Sequence, residues 1–458
     1  MVKPTTILRR LLATAYYRGT GRGYILDAAQ RFEDLYRCPR SEIDRISRAR
    51  LTAILCHAAQ YVPFYRKRLR SETITPANAA SVLASMPILT KETIRREWAN
   101  LVSELPGSRI RENTSGGSTG EPVRLLQDRE MGEDNRSGEL LFMRWAGHRL
   151  GEPHVLIWAV PKKTFSKRIS LHERVFRYAH NETYFNCYQI SDALLDQWIE
   201  RLTCIRPVLI EAYVDALREL SRRILSTGKS VPPPRSIITS AGVLTEAGRS
   251  LIARAFRCPI YNRYGSREVG DIACSCSEGN ELHVHECRAF VEIVNDDGAP
   301  CEIGVEGNIL VTLLTNRTMP LIRYRIEDRG VWSEKECSCG RRTKRLAAVC
   351  GRTSDFLLAA DGSKINGTAL TTLLYDVRGI RRFQYRQASR ERVTLEIAPL
   401  EHANQADLMK SLAVPAERLR HLLGGIQLDI SFTDQILPSR SGKFRYIINE
   451  VTECKDKP

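Results

Sequence analysis

The chain has 458 residues, 43% hydrophobic and 27% charged, with a formal net charge of +16. That length exceeds one ordinary compact core and calls for at least two domains. The composition excludes a disordered chain, and without an apolar run of about 18 residues no membrane span is expected. Thirteen cysteines, an odd number spread along a long chain, do not fit a secreted disulfide framework, so the cytoplasm is the expected compartment. The basic residues are distributed and not gathered in one block, which reads as general surface charge; no nucleic-acid partner is expected.

In chain order, residues 5 to 100 read as mainly helical. Arg9, Arg10, Arg18 and Arg22 precede the first acidic residue, Asp27. Arg9 and Arg10 interrupt any signal-type apolar core, so this stretch reads as a basic surface helix suited to peripheral contact with a membrane or an acidic partner. Ile46, Leu51, Ile54, Leu55 and Ala58 share one helical face, and Pro63 ends that helix. From about Val123 the pattern alternates. "HVLIWAV" (154–160), "VLIEAYV" (208–214), the strand in "PPPRSIITSAG" and "PIYNRYG" (259–265) read as strands. Between them run amphipathic helices, one ending at Gly228 and one capped by Thr245. Strand–helix–strand alternation predicts a mostly parallel sheet with helices packed on it. Ligands of such sheets sit at the carboxyl ends of strands, which draws attention to "SAG" (240–242) and "YGSRE" (264–268). After Gly351 a smaller α+β unit begins: a hairpin at "DFLLAADGSKI", strands at "RVTLEIAP" and "IQLDISFT", and a helix whose apolar positions include Ala406, Leu408, Met409 and Leu412.

The loop "NTSGGSTGEP" (113–122) holds four hydroxyl residues and three glycines. Its GGSTG fits the nucleophile elbow of serine hydrolases, with Ser118 as nucleophile, but that motif needs a helix directly after it, and Pro122 favours a strand. A P-loop requires a lysine after the glycines, and none is present. The physical logic of a phosphate cradle survives. Glycines let backbone N–H groups approach an anion, and Thr114, Ser115, Ser118 and Thr119 add hydroxyl donors around Gly116, Gly117 and Gly120.

Cysteine and histidine concentrate in "CSCSEGNELH" (274–283) and "CSCG" (337–340). Cys276, His283, Cys337 and Cys339 form a Cys₃His set suited to tetrahedral structural Zn²⁺, with Cys274, His285 and Cys287 as competing ligands. Free thiols in two loops are the plainer alternative, and a zinc-containing nucleic-acid binder is a rival reading of the whole chain.

"SGGSTGEPV", "YGSREVGDIA", "MPLIRYRIEDRG", "GRTSDF" and "SGKFR" occur in that order. Together they resemble the adenylate-forming superfamily of acyl-CoA synthetases, and within it the phenylacetate–CoA ligase-like branch and its CapK proteins of capsular polysaccharide biosynthesis. "ILCHAAQYVPFYRKRLR" and "MPILTKETIRREW" resemble that branch's opening helices. The resemblance implies an α/β fold: a large adenylate-forming domain over 1–350 with mostly parallel sheets, and a small mobile C-terminal α+β domain over 351–458. It implies ATP-dependent activation of a carboxylic acid to acyl-AMP with release of pyrophosphate, then transfer to coenzyme A or another acceptor. It assigns catalysis to Lys443 and to Glu268, an oxygen ligand suited to Mg²⁺. The adenine and ribose fall to Ser240, Ala241, Gly242, Tyr264, Gly265, Ser266, Asp328 and Arg352, with a hinge at Ser354–Asp355. Two departures stand out: Glu327 occupies a position commonly held by glycine, and Ser354 one commonly held by aspartate.

Overall fold

The computed structural model describes residues 4–69, 72–114, 123–159, 171–187, 190–352, 356–366, 370–371, 373–374, 377–401, 403–437 and 444–451. The helical opening is α1 (Pro4–Gly19), α2 (Tyr24–Leu35), α3 (Arg40–Tyr61) and the short α4 (Pro63–Leu69), α5 (Ala79–Ser85), α6 (Lys91–Arg96) and α7 (Trp98–Leu101). Along α3 the apolar spacing buries Leu51, Ile54, Leu55 and Ala58, while Ile46 packs at the margin of a neighbouring cluster. Pro63 both stops α3 and opens α4, because a proline at the first helical position gives up an N–H that would have no partner anyway.

A hairpin, β1 (Arg111–Thr114) and β2 (Arg124–Gln127), leads into α8 (Arg129–Trp145), capped by the Asp128 carboxylate accepting from the Met131 N–H. The parallel half of the main sheet follows: β3 (His154–Trp158), α9 (Leu171–His180), β4 (Glu182–Asn186), α10 (Asp192–Ile205), β5 (Leu209–Tyr213), α11 (Val214–Thr227), β6 (Ser236–Ser240), α12 (Glu246–Phe256) and β7 (Ile260–Ser266). Gly228 closes α11 at φ +68°, and the Thr245 hydroxyl accepts from the Gly248 N–H at the start of α12.

At Gly270 the direction rule changes. β8 (Gly270–Cys276) returns antiparallel to β7 after three residues, too few for the crossover that parallel pairing demands. β9 (Gly279–Val284), β10 (Ala289–Val294), β11 (Glu306–Leu313), β12 (Tyr324–Trp332) and β13 (Arg345–Arg352) complete one eleven-stranded sheet, ordered β10-β11-β12-β13-β9-β8-β7-β6-β5-β3-β4. The expected parallel order thus covers 154–266, and antiparallel strands make up the rest.

The C-terminal residues build a separate sheet and core. β14 (Phe356–Leu358) pairs with β15 (Lys364–Asn366) as the expected hairpin. β16 (Ile380–Gln387), β17 (Arg392–Pro399), α13 (Gln405–Leu423), β18 (Gln427–Phe432) and β19 (Ile447–Asn449) give a four-stranded sheet ordered β18-β17-β16-β19. Its core joins Leu357, Phe383, Tyr385, Leu395 and Ile447 to Leu408, Leu412, Leu419 and Leu423 of α13. Of the apolar positions named from the sequence, Ala406 and Met409 are exposed. The buried stripe runs 408, 412, 416, 419 and 423, a three-and-four spacing from which both fall away.

Candidate active site

Strands β5, β6 and β7 lie side by side and parallel, so their carboxyl ends gather in one place. Ser240 ends β6 opposite Tyr213 of β5. Ala241 follows at φ +61°, a left-handed turn that costs a non-glycine residue some strain. Gly242 then rests on the start of α11, where an added Cβ would lie 3.2 Å from that of Val214. On β7, an added Cβ at Gly265 would come within 2.5 Å of the Gly270 carbonyl oxygen, so only glycine permits the tight β7–β8 approach. Ser266 accepts from the Val269 N–H and stabilises that tip. Glu268 sits in the tip, buried, and no described residue donates to its carboxylate.

Tyr264 of β7 reaches across to β12: its hydroxyl donates to Asp328 Oδ2 at 2.8 Å. Both side chains are half-buried. The next ladder step sets Arg352 opposite Asp328 across β12 and β13. Glu327 adopts φ +68°, the conformation in which glycine is favoured. Its carboxylate is held by Lys91 of α6. The departure from glycine therefore keeps the left-handed turn, and a long-range ion pair fixes it beside Asp328.

The hairpin β1–β2 is fastened to the same tip. Asn113 Nδ2 donates to the Arg267 carbonyl at 2.9 Å, and Gln127 Nε2 donates to the carbonyls of Arg267 and Glu268, each at 3.1 Å. Thr114 ends β1 opposite Arg124 of β2. Ser115, Gly116, Gly117, Ser118, Thr119 and Gly120 lie outside the described residues. A strand follows the loop, not the helix that a nucleophile elbow requires. The serine-hydrolase reading thereby loses its geometric basis.

Lys443, Ser354 and Asp355 also lie outside the described residues. Tyr446, three positions after Lys443, is described. Its hydroxyl donates to Asp215 Oδ1 at 2.6 Å and accepts from Arg218 Nη1 at 2.9 Å, both on the first turns of α11 beside the 240–242 turn. Arg381 pairs with Asp192 at 3.4 Å and Glu219 at 3.6 Å, Arg382 pairs with Glu219 at 3.7 Å, and Arg222 donates to the Arg381 carbonyl at 2.9 Å. The C-terminal sheet is therefore docked against α10 and α11 through polar contacts.

Sequence reasoning passed over a buried charge chain beneath these strand ends. Arg263 pairs with Glu211 at 3.1 Å and Asp271 at 3.6 Å, and His154 Nε2 lies 3.3 Å from Glu211. Burial pushes the Glu211 carboxyl up, but Arg263 and His154 overcome it and hold the group down at about 2. The available signal was a charged residue inside an otherwise apolar strand, "VLIEAYV" and "YNRYG".

A second cluster lies along the β8–β9 hairpin. Cys276, His283, Cys337 and Cys339 bring four ligand atoms within 4.8 Å of one another. Cys276 Sγ is 3.5 Å from Cys337 Sγ, and Cys339 Sγ is 3.4 Å from His283 Nε2. His283 Nδ1 is occupied by the Thr343 hydroxyl at 2.9 Å, which orients the ring so that Nε2 faces the thiols. Burial, with Arg341 nearby, pushes the His283 pKa down to about 3, so the imidazole is neutral, as a metal ligand must be. Three soft sulfurs and one imidazole, all from the protein, suit a closed tetrahedral Zn²⁺ site. Cys274, His285 and Cys287 stand apart. His285 Nδ1 meets the Tyr36 hydroxyl at 2.5 Å, the Cys287 N–H donates to the same hydroxyl, and all three are buried in the aromatic core with Phe32 and Phe142.

The overall fold recurs in solved acyl-CoA ligases. The chain superposes on 2-hydroxyisobutyryl-CoA ligase in the postadenylation state, bound to an acyl-AMP, with a TM-score of 0.69 at 17% identity over 90% of each chain. An open form of that ligase, covering 90% of this chain and 92% of its own, gives 0.55 at 17% identity. The fold is that of the adenylate-forming ligases. The chain's sequence relatives narrow the branch. Protein CapK of Staphylococcus aureus is 23% identical over 84% of this chain and 83% of its own length. The phenylacetate-coenzyme A ligase of Thermus thermophilus is 24% identical over 71% and 74%. Residues 357–450 match the CapK C-terminal domain family. The chain is thus similar to CapK and to phenylacetate–CoA ligases, and it carries a CapK-type C-terminal domain.

Proposed function

We propose that this protein activates a carboxylic acid with ATP, forming an acyl-adenylate and pyrophosphate, and passes the acyl group to coenzyme A or another acceptor. The observation that carries the reading is the Tyr264–Asp328 hydrogen bond, with the 240–242 turn at the end of the strand next to β7 and Glu268 in the turn bonded to Gln127 of the β1–β2 hairpin. Asp328 offers carboxylate oxygens to a ribose diol, and Arg352 lies across the ladder from it. Ser240, Ala241, Gly242, Tyr264, Gly265 and Ser266 form the adenine side. The loop 114–120 supplies backbone and hydroxyl donors to the phosphates. The step brings two anions together, so it needs fixed positive charge. Lys443 supplies it, three positions before Tyr446, whose hydroxyl bonds to Asp215 and Arg218 of α11. Glu268 would hold Mg²⁺, which offsets phosphate charge when bound. Ser354–Asp355 serves as the hinge between residues 1–350 and the C-terminal unit.

The larger overlap with a postadenylation form than with an open one supports reading the docked arrangement as the first-step orientation. Coenzyme A as acceptor is favoured by the relatives named for that activity, and the CapK resemblance favours a setting in polysaccharide biosynthesis. Cys276, His283, Cys337 and Cys339 would hold a structural zinc, which would tie the 337–339 loop to the β8–β9 hairpin.

Hydroxylamine trapping tests the reading. Incubation with ATP, Mg²⁺ and a panel of aromatic, aliphatic and amino acids should yield an acyl hydroxamate with at least one of them. No hydroxamate from any acid, together with labelling of Ser118 by a fluorophosphonate probe, would replace the ligase reading with the hydrolase one. Salt-sensitive binding to DNA or RNA would support the nucleic-acid reading instead.

A further inference from the structure

Helix α1 is amphipathic in an unusual sense: it is apolar on the side turned away from the protein. Thr6, Ala13 and Tyr17 are buried and fall on one stripe. Ile7, Leu8, Leu11 and Leu12 centre on a stripe about 170° around the axis at 3.6 residues per turn. They are exposed by 49%, 53%, 62% and 41%. The inward stripe is firmly seated. Tyr17 accepts from Arg136 Nε at 3.0 Å and lies 3.1 Å from His180 Nε2, and Arg10 Nε donates to the Leu150 carbonyl at 3.2 Å. Helix α9 packs alongside, with Tyr16 and Phe176 ring centroids 5.5 Å apart and the Arg9 guanidinium 4.6 Å over the Tyr178 ring. Val175 and Tyr178 of α9 are themselves exposed. Four adjacent aliphatic side chains in water, flanked by an exposed aromatic helix, are more than the scattered apolar residues that any surface carries.

The charge around this stripe selects its partner. No acidic residue occurs before Asp27, whereas Lys3, Arg9, Arg10, Arg18 and Arg22 all do. Arg18, on the exposed stripe, and Arg174 of α9 are exposed. A second copy of this chain would bring like charges together on a molecule already at +16. An anionic lipid surface would neutralise them, while the aliphatic side chains enter the boundary between headgroups and acyl chains. Because the inward stripe is already packed, docking needs no rearrangement of α1. No helix among the described residues is long and apolar enough to cross a membrane, so the contact is one of lying on the surface. We propose that α1, edged by α9, is a membrane-docking face that holds this enzyme against anionic phospholipid. The proposal is independent of the reaction assigned above.

Flotation of the full chain with vesicles tests it. Vesicles of equal phosphatidylglycerol and phosphatidylcholine should carry most of the protein, and vesicles of phosphatidylcholine alone much less. Leu8→Glu with Leu11→Glu should lower the bound fraction about tenfold or more, because two apolar anchors become anionic. Ile303→Glu with Val305→Glu, exposed apolar residues elsewhere, should leave it unchanged. Matching circular dichroism melts establish that both double variants fold. Equal binding of wild type and Leu8→Glu/Leu11→Glu would overturn the proposal. So would absence of vesicle binding with a concentration-dependent dimer that the same two substitutions dissolve, which would make the stripe a contact between copies.

Discussion

The two halves of the candidate site are built from different materials. The nucleotide half sits within one sheet. Tyr264 of β7 meets Asp328 of β12, Gly265 allows a backbone approach that no side chain could share, and Gln127 ties the Glu268 turn to the loop hairpin. The other half is a seam. Tyr446, Arg381 and Arg382 of the C-terminal sheet meet Asp215, Arg218, Glu219 and Asp192 of α10 and α11 through hydrogen bonds and ion pairs, the latter between 3.4 and 3.7 Å for the two arginines. Partly exposed pairs of this kind are individually weak. An enzyme that binds one nucleotide through two steps, and moves one unit between them, needs this division. In the proposed reaction, the part that would recognise the nucleotide is packed, and the part that would choose the step is held by contacts that water can replace.

Four substitutions sharpen or break that division. The largest effect is expected from Lys443→Ala, which should slow adenylation by ~10²-fold or more, as for loss of one transition-state charge contact. Its transfer of an acyl group from a synthetic acyl-adenylate should stay near wild type, measured by thioester formation. Asp328→Ala should raise the ATP concentration for half-maximal adenylation by roughly tenfold or more, since a hydrogen bond to a charged group is worth about 1.5–3 kcal/mol. Calorimetry with ATP alone should show the same loss, marking a binding role. Tyr446→Phe removes only a hydroxyl and should slow adenylation about fivefold, the scale of one net hydrogen bond, without changing ATP affinity or the transfer step. A Tyr446→Phe enzyme equally slow in both steps would mean that the seam is merely structural. The smallest effect on chemistry is expected from Cys337→Ser. Metal analysis should fall from about one zinc per chain and the melting temperature should drop, while adenylation per folded molecule stays within about twofold. Wild-type protein holding no zinc after chelator-free purification would remove the metal assignment.

Much of the packed half was legible in the sequence because its signals are local. Apolar runs mark β3, β5, β6 and β7, and the turns at 240–242 and 264–268 fall at their ends. The seam was not legible. Tyr446 and Asp215 are 231 residues apart and carry no local pattern, and the same holds in the packed half for Lys91 and Glu327, 236 apart. The switch from parallel to antiparallel pairing at Gly270 was also missed, since strand composition says little about the direction of a neighbour. The cysteines show a subtler limit. Two residues apart on a strand, Cys274 and Cys276 should share a face, but a register shift at Ser275/Cys276 separates them. One enters the core and the other meets Cys337.

The most direct test of the account is ATP-dependent pyrophosphate release across the acid panel, run on wild type and Lys443→Ala side by side. The account predicts release that depends on a particular acid in the wild type and falls by ~10²-fold or more in the variant. Acid-dependent release that survives Lys443→Ala undiminished would contradict it.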